Sequence, residues 1–263
     1  CCVKACGAAG FIDNGRELHG EIIQKGFLES DMFSGGALVD MYAKCGCLHE
    51  SCVVFESLPF RTIVSWNAII AYHAQHGHGE EALNLFERMK INGISPDEVT
   101  FVSILKACSS TGAIEKGQEI HDEIVNRGML EQNLMLGTAL IDMYAKCGVL
   151  TRAQRVLEEL PYRDVVSWAA VIVGYAQQGQ TEEALNCFKQ MQNEGLSTDM
   201  ITFISILKAC GKTGAVDKGR QIHIEIACRG FLEKDTMVST ALVNMYARCG
   251  ELGIAQQVLE ELP

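Results

Sequence analysis

The chain has 263 residues, of which 48% are hydrophobic and 21% charged, with only four prolines. That composition supplies a core and argues against disorder, while no run approaches 18 consecutive apolar residues, so no membrane partner is expected. The formal net charge of -11 disfavours a polyanionic ligand unless the charges are unevenly placed.

In chain order, residues 1–31 make up most of one unit, which closes at Asp31. Residues 32–62 form the next and contain ALVDMYAKCG, from Ala37 to Gly46. In 63–97, Ser65 precedes the apolar-periodic run Trp66, Ile69 and Ile70, and Gly77 ends a first helix. A second helix follows from Glu80 to Met89, stopped by Gly93 and Pro96. Residues 98–133 are divided by Gly112, and 134–164 carry ALIDMYAKCG followed by a helix-ending Gly148. The pattern then begins again. Residues 165–199 place Trp168 where Trp66 stood, and Thr181 is expected to cap their second helix. Residues 200–235 repeat Phe101 as Phe203, and 236–263 carry ALVNMYARCG.

Each of these equivalences lies 102 positions from the last, and the cycle divides into units of 35, 36 and 31 residues. One hairpin of that size cannot bury its own apolar stripe, so neighbours must stack. The expected fold is all-α, a right-handed α-solenoid superhelix of helix-turn-helix repeats. The chain starts and stops inside the pattern and is expected to be a piece of a longer protein, with any targeting segment outside it.

Most of the 12 cysteines recur with the repeat, as Cys6, Cys108 and Cys210 or Cys45, Cys147 and Cys249. Stacking holds equivalent residues in successive layers, so reduced, mostly buried thiols are expected instead of a disulfide framework. His19-Gly-Glu21, His121-Asp-Glu123 and His223-Ile-Glu225 look like the His-x-Glu of zinc deaminases, but no Cys-x-x-Cys accompanies them. They are read as packing or inter-repeat polar contacts. Cys45, Cys47 and Cys52 cluster, yet only Cys45 recurs. No metal, cofactor or catalytic group is expected, and no phosphate-binding Gly-rich loop is present.

The alternation of unit lengths resembles the pentatricopeptide-repeat family, in particular its plant class with mixed P, L and S motifs. The resemblance runs over essentially the whole chain. It rests on VSWNAII and GEEALNLFERMKINGISPD, on VTFVSILKACSSTGAIEKGQEIH, and on TALIDMYAKCG with AQRVLEELP. It implies L-type repeats at 1–31, 98–133 and 200–235, S-type at 32–62, 134–164 and 236–263, and P-type at 63–97 and 165–199. It further implies single-stranded RNA as partner instead of double-stranded DNA, in a mitochondrion or chloroplast, at roughly one nucleotide per unit. Many such proteins specify C-to-U editing sites, and their deaminase, where present, lies in C-terminal extensions, so this fragment is not expected to be an enzyme. An accessory protein near the L-type repeats is also implied.

The family reads a base through the fifth and last residues of a unit. Here these are Gly36 with Thr62, Asn67 with Asp97, Thr138 with Asp164, Ala169 with Asp199, and Thr240 with a residue beyond the chain. Asn67 with Asp97 resembles a uracil pair and Thr138 with Asp164 a guanine pair, because amide, hydroxyl and carboxylate groups can address a base edge. Asp97 is equally suited to capping the next helix. The aliphatic fifth residues Val102, with Asn133, and Ile204, with Asp235, suit spacers or weak readers, and Asp31 closes the first unit. Second-position residues Phe33, Val64, Val99, Met135, Val166, Ile201 and Met237 are candidates to pack on bases, although apolar residues at helix starts commonly belong to the core.

Helical spacing from the fifth residues reaches Lys106 and Lys208, to which Lys4 is equivalent, and Lys44, Lys146 and Arg248. These first-helix cations are candidates for phosphate contact, opposed chiefly by Asp40 and Asp142, while most glutamates fall on the second helices. A helical-repeat scaffold that binds a protein is the competing reading.

Overall fold

The computed structural model describes residues 2–131, 133–232 and 236–260, and no β-strand occurs among them. The chain is an all-α solenoid of helical hairpins, in two compact units, Cys1–Met129 and Leu130–Pro263. The first holds α1 (Cys2–Ala9), α2 (Ile12–Gln24), the short α3 (Phe27–Ser30), α4 (Met32–Lys44), α5 (Leu48–Ser57), α6 (Ile63–Gln75), α7 (Gly79–Ile91), α8 (Glu98–Thr111) and α9 (Ile114–Asn126). The second holds α10 (Leu134–Lys146), α11 (Leu150–Glu159), α12 (Val165–Gln177), α13 (Thr181–Asn193), α14 (Met200–Thr213), α15 (Val216–Cys228), α16 (Thr236–Arg248) and α17 (Leu252–Glu260).

In the first unit, α4 packs on α5 and α6 on α7 as hairpins, while α1, α4, α6 and α8 pack side by side as first helices. The second unit repeats this with α10, α12, α14 and α16 as its first helices. Helix α6 shows why. Trp66, Ile69, Ile70 and His73 recur at helical spacing and are all buried, so one stripe faces the stack. The helix begins at Ile63 with Thr62 as its cap, earlier than the Ser65 start expected from sequence; Ser65 lies inside the first turn and is buried.

The hairpin turns depend on glycine. Gly46, Gly77, Gly148 and Gly250 have φ of 76°, 82°, 81° and 84°. That left-handed geometry lets the next N–H reach back to a helix carbonyl, as from His78 to His73 at 2.9 Å and from Val149 to Tyr144 at 2.9 Å. Thr181 is not the cap of α13. Gln180 occupies that place without a side-chain bond, and Thr181 sits buried in the first turn with its hydroxyl 3.3 Å from that of Thr213.

Aromatic residues fill the layers between hairpins. Phe55 meets Trp66 edge-on at 4.7 Å, and Phe86 meets Phe101 at 6.4 Å. In the second unit Phe188 and Phe203 repeat the latter contact at 5.9 Å. Arg127 covers Phe101 with its guanidinium 5.3 Å from the ring centre, and Arg229 covers Phe203 at 5.5 Å.

The cysteines form no disulfide among the described residues. They are less uniformly buried than expected: Cys6, Cys108, Cys187 and Cys210 are buried, Cys45, Cys147 and Cys249 half-buried, and Cys2 and Cys228 exposed. Burial pushes the Cys187 and Cys210 thiols up to about 11. The Cys45 and Cys249 thiols donate to the carbonyls of Cys6 and Cys210, at 3.9 and 3.7 Å, which ties equivalent layers in the two units. His19 and His223 make the same inter-repeat contact, to Tyr42 and Tyr246 at 2.9 and 3.0 Å. Among the described residues no cluster of three His, Cys, Asp or Glu side chains has metal-binding geometry.

Candidate nucleic-acid interface

The residues expected to end the repeats up to 199 each cap the next first helix. Asp31, Thr62, Asp97, Asn133, Asp164 and Asp199 precede α4, α6, α8, α10, α12 and α14, and each side-chain oxygen accepts from an N–H of the first turn. Such a cap contributes about 1 kcal/mol. The Ser34 hydroxyl and Phe33 N–H hold the Asp31 carboxyl below its ordinary value. Asp235 lies outside the described residues, so the partner of Ile204 has no position here.

In the first unit one fifth residue, Asn67, reaches the cap of the next helix. Asn67 Nδ2 donates to both Asp97 oxygens, at 2.9 and 3.1 Å, and Thr100 Oγ1 donates to Asn67 Oδ1 at 2.6 Å. This leaves Asn67 only 9% exposed. A Cβ at Gly36 would stand 3.4 Å from Thr62 Oγ1 and 3.5 Å from Val64 Cβ, so fifth, last and following second positions converge there too. In the second unit the hydroxyls of Thr138 and Thr240 donate instead to Leu134 and Thr236 carbonyls, at 3.0 and 2.7 Å. Asp164 accepts from the Ser167 N–H at 2.8 Å, and Ala169 offers Asp199 no polar group. Val102 and Ile204 are half-buried on their helices.

Sequence reasoning overlooked the third residue of the helix. Ser65, Thr100, Ser167 and Thr202 are buried behind the caps, and Thr100 and Ser167 complete reciprocal boxes with Asp97 and Asp164. The signal was present in the recurring TIVS, DEVT, DVVS and DMIT.

The second-position side chains leave the core. Phe33, Val64 and Val99 in the first unit are 80%, 44% and 56% exposed; Met135, Val166, Ile201 and Met237 in the second are 68%, 60%, 67% and 65% exposed. A core role for these apolar residues is therefore excluded. Between α14 and α16 an open cleft of about 220 Å³ brings together Ile204, Met237, Thr240 and Lys208.

The first helices carry seven Lys or Arg against Asp40, Glu98 and Asp142, the reverse of the chain's net charge. Lys44 and Lys146 are held by Asp40 and Asp142, each at 2.7 Å. Lys4, Lys106, Lys208 and Arg248 are exposed and make no ion pair among the described residues. Asn244 stands where Asp40 and Asp142 stood, and Lys212, which the sequence reading did not single out, joins Lys208, Asn244 and Arg248 around a cleft of about 210 Å³. Several charges of the second helices are matched across repeats, as in Lys116–Glu87 at 2.6 Å and Arg220, on α15, with Glu251 at 2.9 Å.

Sequence models of the PPR repeat match residues 61–110 and 163–212, described as the PPR repeat family, and residues 99–129 and 138–165, described as the PPR repeat. The chain belongs to the PPR repeat family. It is 40% identical over 261 residues to a chloroplastic pentatricopeptide repeat-containing protein of Arabidopsis thaliana, over 99% of this chain and 42% of that protein. A mitochondrial one from the same plant is 34% identical over 261 residues, 99% of this chain and 41% of that protein. The PPR chain thus spans about four-tenths of the length of these relatives. Its fold is similar to the crystal structure of the pentatricopeptide repeat protein PPR10 with an 18-nucleotide psaJ RNA element, with a TM-score of 0.79 at 20% identity, over 95% of this chain and 37% of that one. It is also similar to PPR10 from maize, with a TM-score of 0.74 at 22% identity, over 98% and 38%.

Proposed function

We propose that the first-helix faces of this PPR chain bind single-stranded RNA, about one nucleotide per repeat, as the sequence-reading part of a longer protein. The observation that carries the reading is the exposure of all seven apolar second-position residues. Exposed apolar surface costs about 25 cal/mol per Å² relative to burial, and the faces of unstacked bases offer a matching surface. Stacking on aromatic side chains contributes roughly 1–3 kcal/mol per base and sets an upper guide for these mostly aliphatic ones.

Base edges are read by the fifth and last residues. Asn67 and Asp97 address uracil, the Asp97 carboxylate orienting the amide by accepting from its Nδ2. Thr138 with Asp164 addresses guanine. Val102 and Ile204 have no hydrogen-bonding group, so those repeats are spacers, and an accessory protein docks near them. Lys4, Lys106, Lys208, Lys212 and Arg248 contact phosphates and give affinity without sequence information. The mixed repeat lengths support a reading of the protein as one of the P, L and S class, with C-to-U editing sites as its targets, and the names of the chloroplastic and mitochondrial relatives support an organellar location.

A binding selection on randomised single-stranded RNA tests this, with single-stranded DNA and duplex DNA as controls. The Asn67→Ser variant is expected to change the preferred base at one nucleotide and keep overall affinity. RNA enriched no better than the controls overturns the reading in favour of a protein-binding scaffold.

A further inference from the structure

The two 35-residue repeats contain the chain's two tryptophans in equivalent places, but they solve the indole N–H differently. Trp168 Nε1 donates to Glu194 Oε2 at 2.8 Å, and the same carboxylate accepts from Arg163 Nε at 3.1 Å. One acidic group thereby joins an indole to a guanidinium. At Trp66 the residue in the place of Glu194 is Asn92, which turns back to donate to the Arg88 carbonyl at 2.7 Å.

Three features mark the Trp66 site as built for an acid. Trp66 is fully buried and its Nε1 has no hydrogen-bond partner among the described residues; leaving such a donor unmet is unfavourable. Arg61, the counterpart of Arg163, shares the single carboxylate of Glu56 with Arg88, at 2.9 and 2.8 Å, so two cations face one anion. Trp66, Arg61 and Asn92 also line an open cleft of about 680 Å³ that includes no acidic residue and carries Phe60, 64% exposed, at its edge.

We propose that this cleft receives a Glu or Asp side chain of a protein partner, whose carboxylate accepts from Trp66 Nε1, as Glu194 does from Trp168. It pairs with the Arg61 guanidinium through Nη1, since Arg61 Nε donates to the Phe55 carbonyl and Nη2 to Glu56. The exposed Phe60 ring packs on an apolar neighbour of that acid. A carboxylate is favoured over a nucleic-acid phosphate because the equivalent site is filled by a carboxylate of the same reach. The inference is independent of the RNA reading.

Two-dimensional proton–nitrogen NMR on the full 263-residue chain tests it, since the two indole N–H signals can be assigned by Trp168→Phe. Titration with N-acetylglutamate methylamide is expected to shift the Trp66 signal saturably towards the Trp168 position and leave Trp168 in place. The neutral glutamine analogue should produce no shift. Asn92→Glu should move the Trp66 signal to the same position without ligand and abolish the response, whereas Asn92→Gln should leave the response intact. A silent Trp66, equal movement with the glutamine analogue or inorganic phosphate, or an Asn92→Glu signal unlike that of Trp168 overturns the proposal.

Discussion

The contact between Asn67 and Asp97 makes a prediction that needs no RNA. Removing the amide in Asn67→Ala deletes two N–H···O contacts to a carboxylate and one bond accepted from Thr100. Hydrogen bonds to charged groups contribute about 1.5–3 kcal/mol. Asn67 is 9% exposed but Asp97 is half-buried, which places the loss near the lower end, about 2 kcal/mol. Asp97→Ala costs about 1 kcal/mol for the cap of α8 and about 1–2 kcal/mol more for the unmet Asn67 amide. The double variant loses the shared contact only once, so the cycle should return a coupling of about 1.5 kcal/mol. The assay is urea unfolding followed by Trp66 fluorescence, with all four proteins carrying Trp168→Phe so that the signal reports the repeat concerned. Additivity within about 0.5 kcal/mol would refute the reasoning, because the fifth and last residues would then not act as one unit in solution.

Helix α10 gives a second test. A Cβ at Gly137 would stand 2.4 Å from Leu160 Cδ2, so Gly137→Ala sets overpacking of about 1–3 kcal/mol against a helix-propensity gain of about 1 kcal/mol. A lower melting temperature is expected, recovered by adding Leu160→Val; a rise in the single variant contradicts the packing. Acidification gives a third. Burial holds the His19 imidazole below its ordinary 6.5, so the unfolded chain takes up the proton more readily. The stability this group contributes is present above pH 6.5 and lost as the pH falls through it. Melting curves at about pH 7.5 and about pH 5.5 should therefore show a smaller acid loss in His19→Gln than in the parent; equal losses refute the assignment.

Much of the architecture was legible because repetition makes errors visible: one misplaced glycine would break a pattern that Gly46, Gly148 and Gly250 all keep. Helix starts were harder to read. Ser65 looked like the start of the helix because small polar residues favour helix starts, yet the same chemistry serves the third residue of a helix that Thr62 has already capped. Thr181 misled in the same way, because its hydroxyl answers Thr213 in the next hairpin, a contact that local sequence cannot contain. The apolar second residues were ambiguous for a different reason. Hydrophobicity does not say which side of a stack a side chain faces, and only the packed structure puts Phe33 and Met135 into solvent. Lys212 went unnoticed because its significance comes from a neighbouring helix, where Asn244 has replaced an aspartate.

On the proposed reading, the capping residues would carry a second duty, and their first one limits how such a protein could be retargeted. Whatever side chain stands at the position of Asp97 must first start a helix, so the usable alphabet there narrows to Asp, Asn, Ser and Thr. The Asn67 position carries no such obligation and tolerates glycine, threonine or alanine in sister repeats. New targets would therefore be acquired mainly through the fifth residue, with the terminal one choosing among a few polar letters.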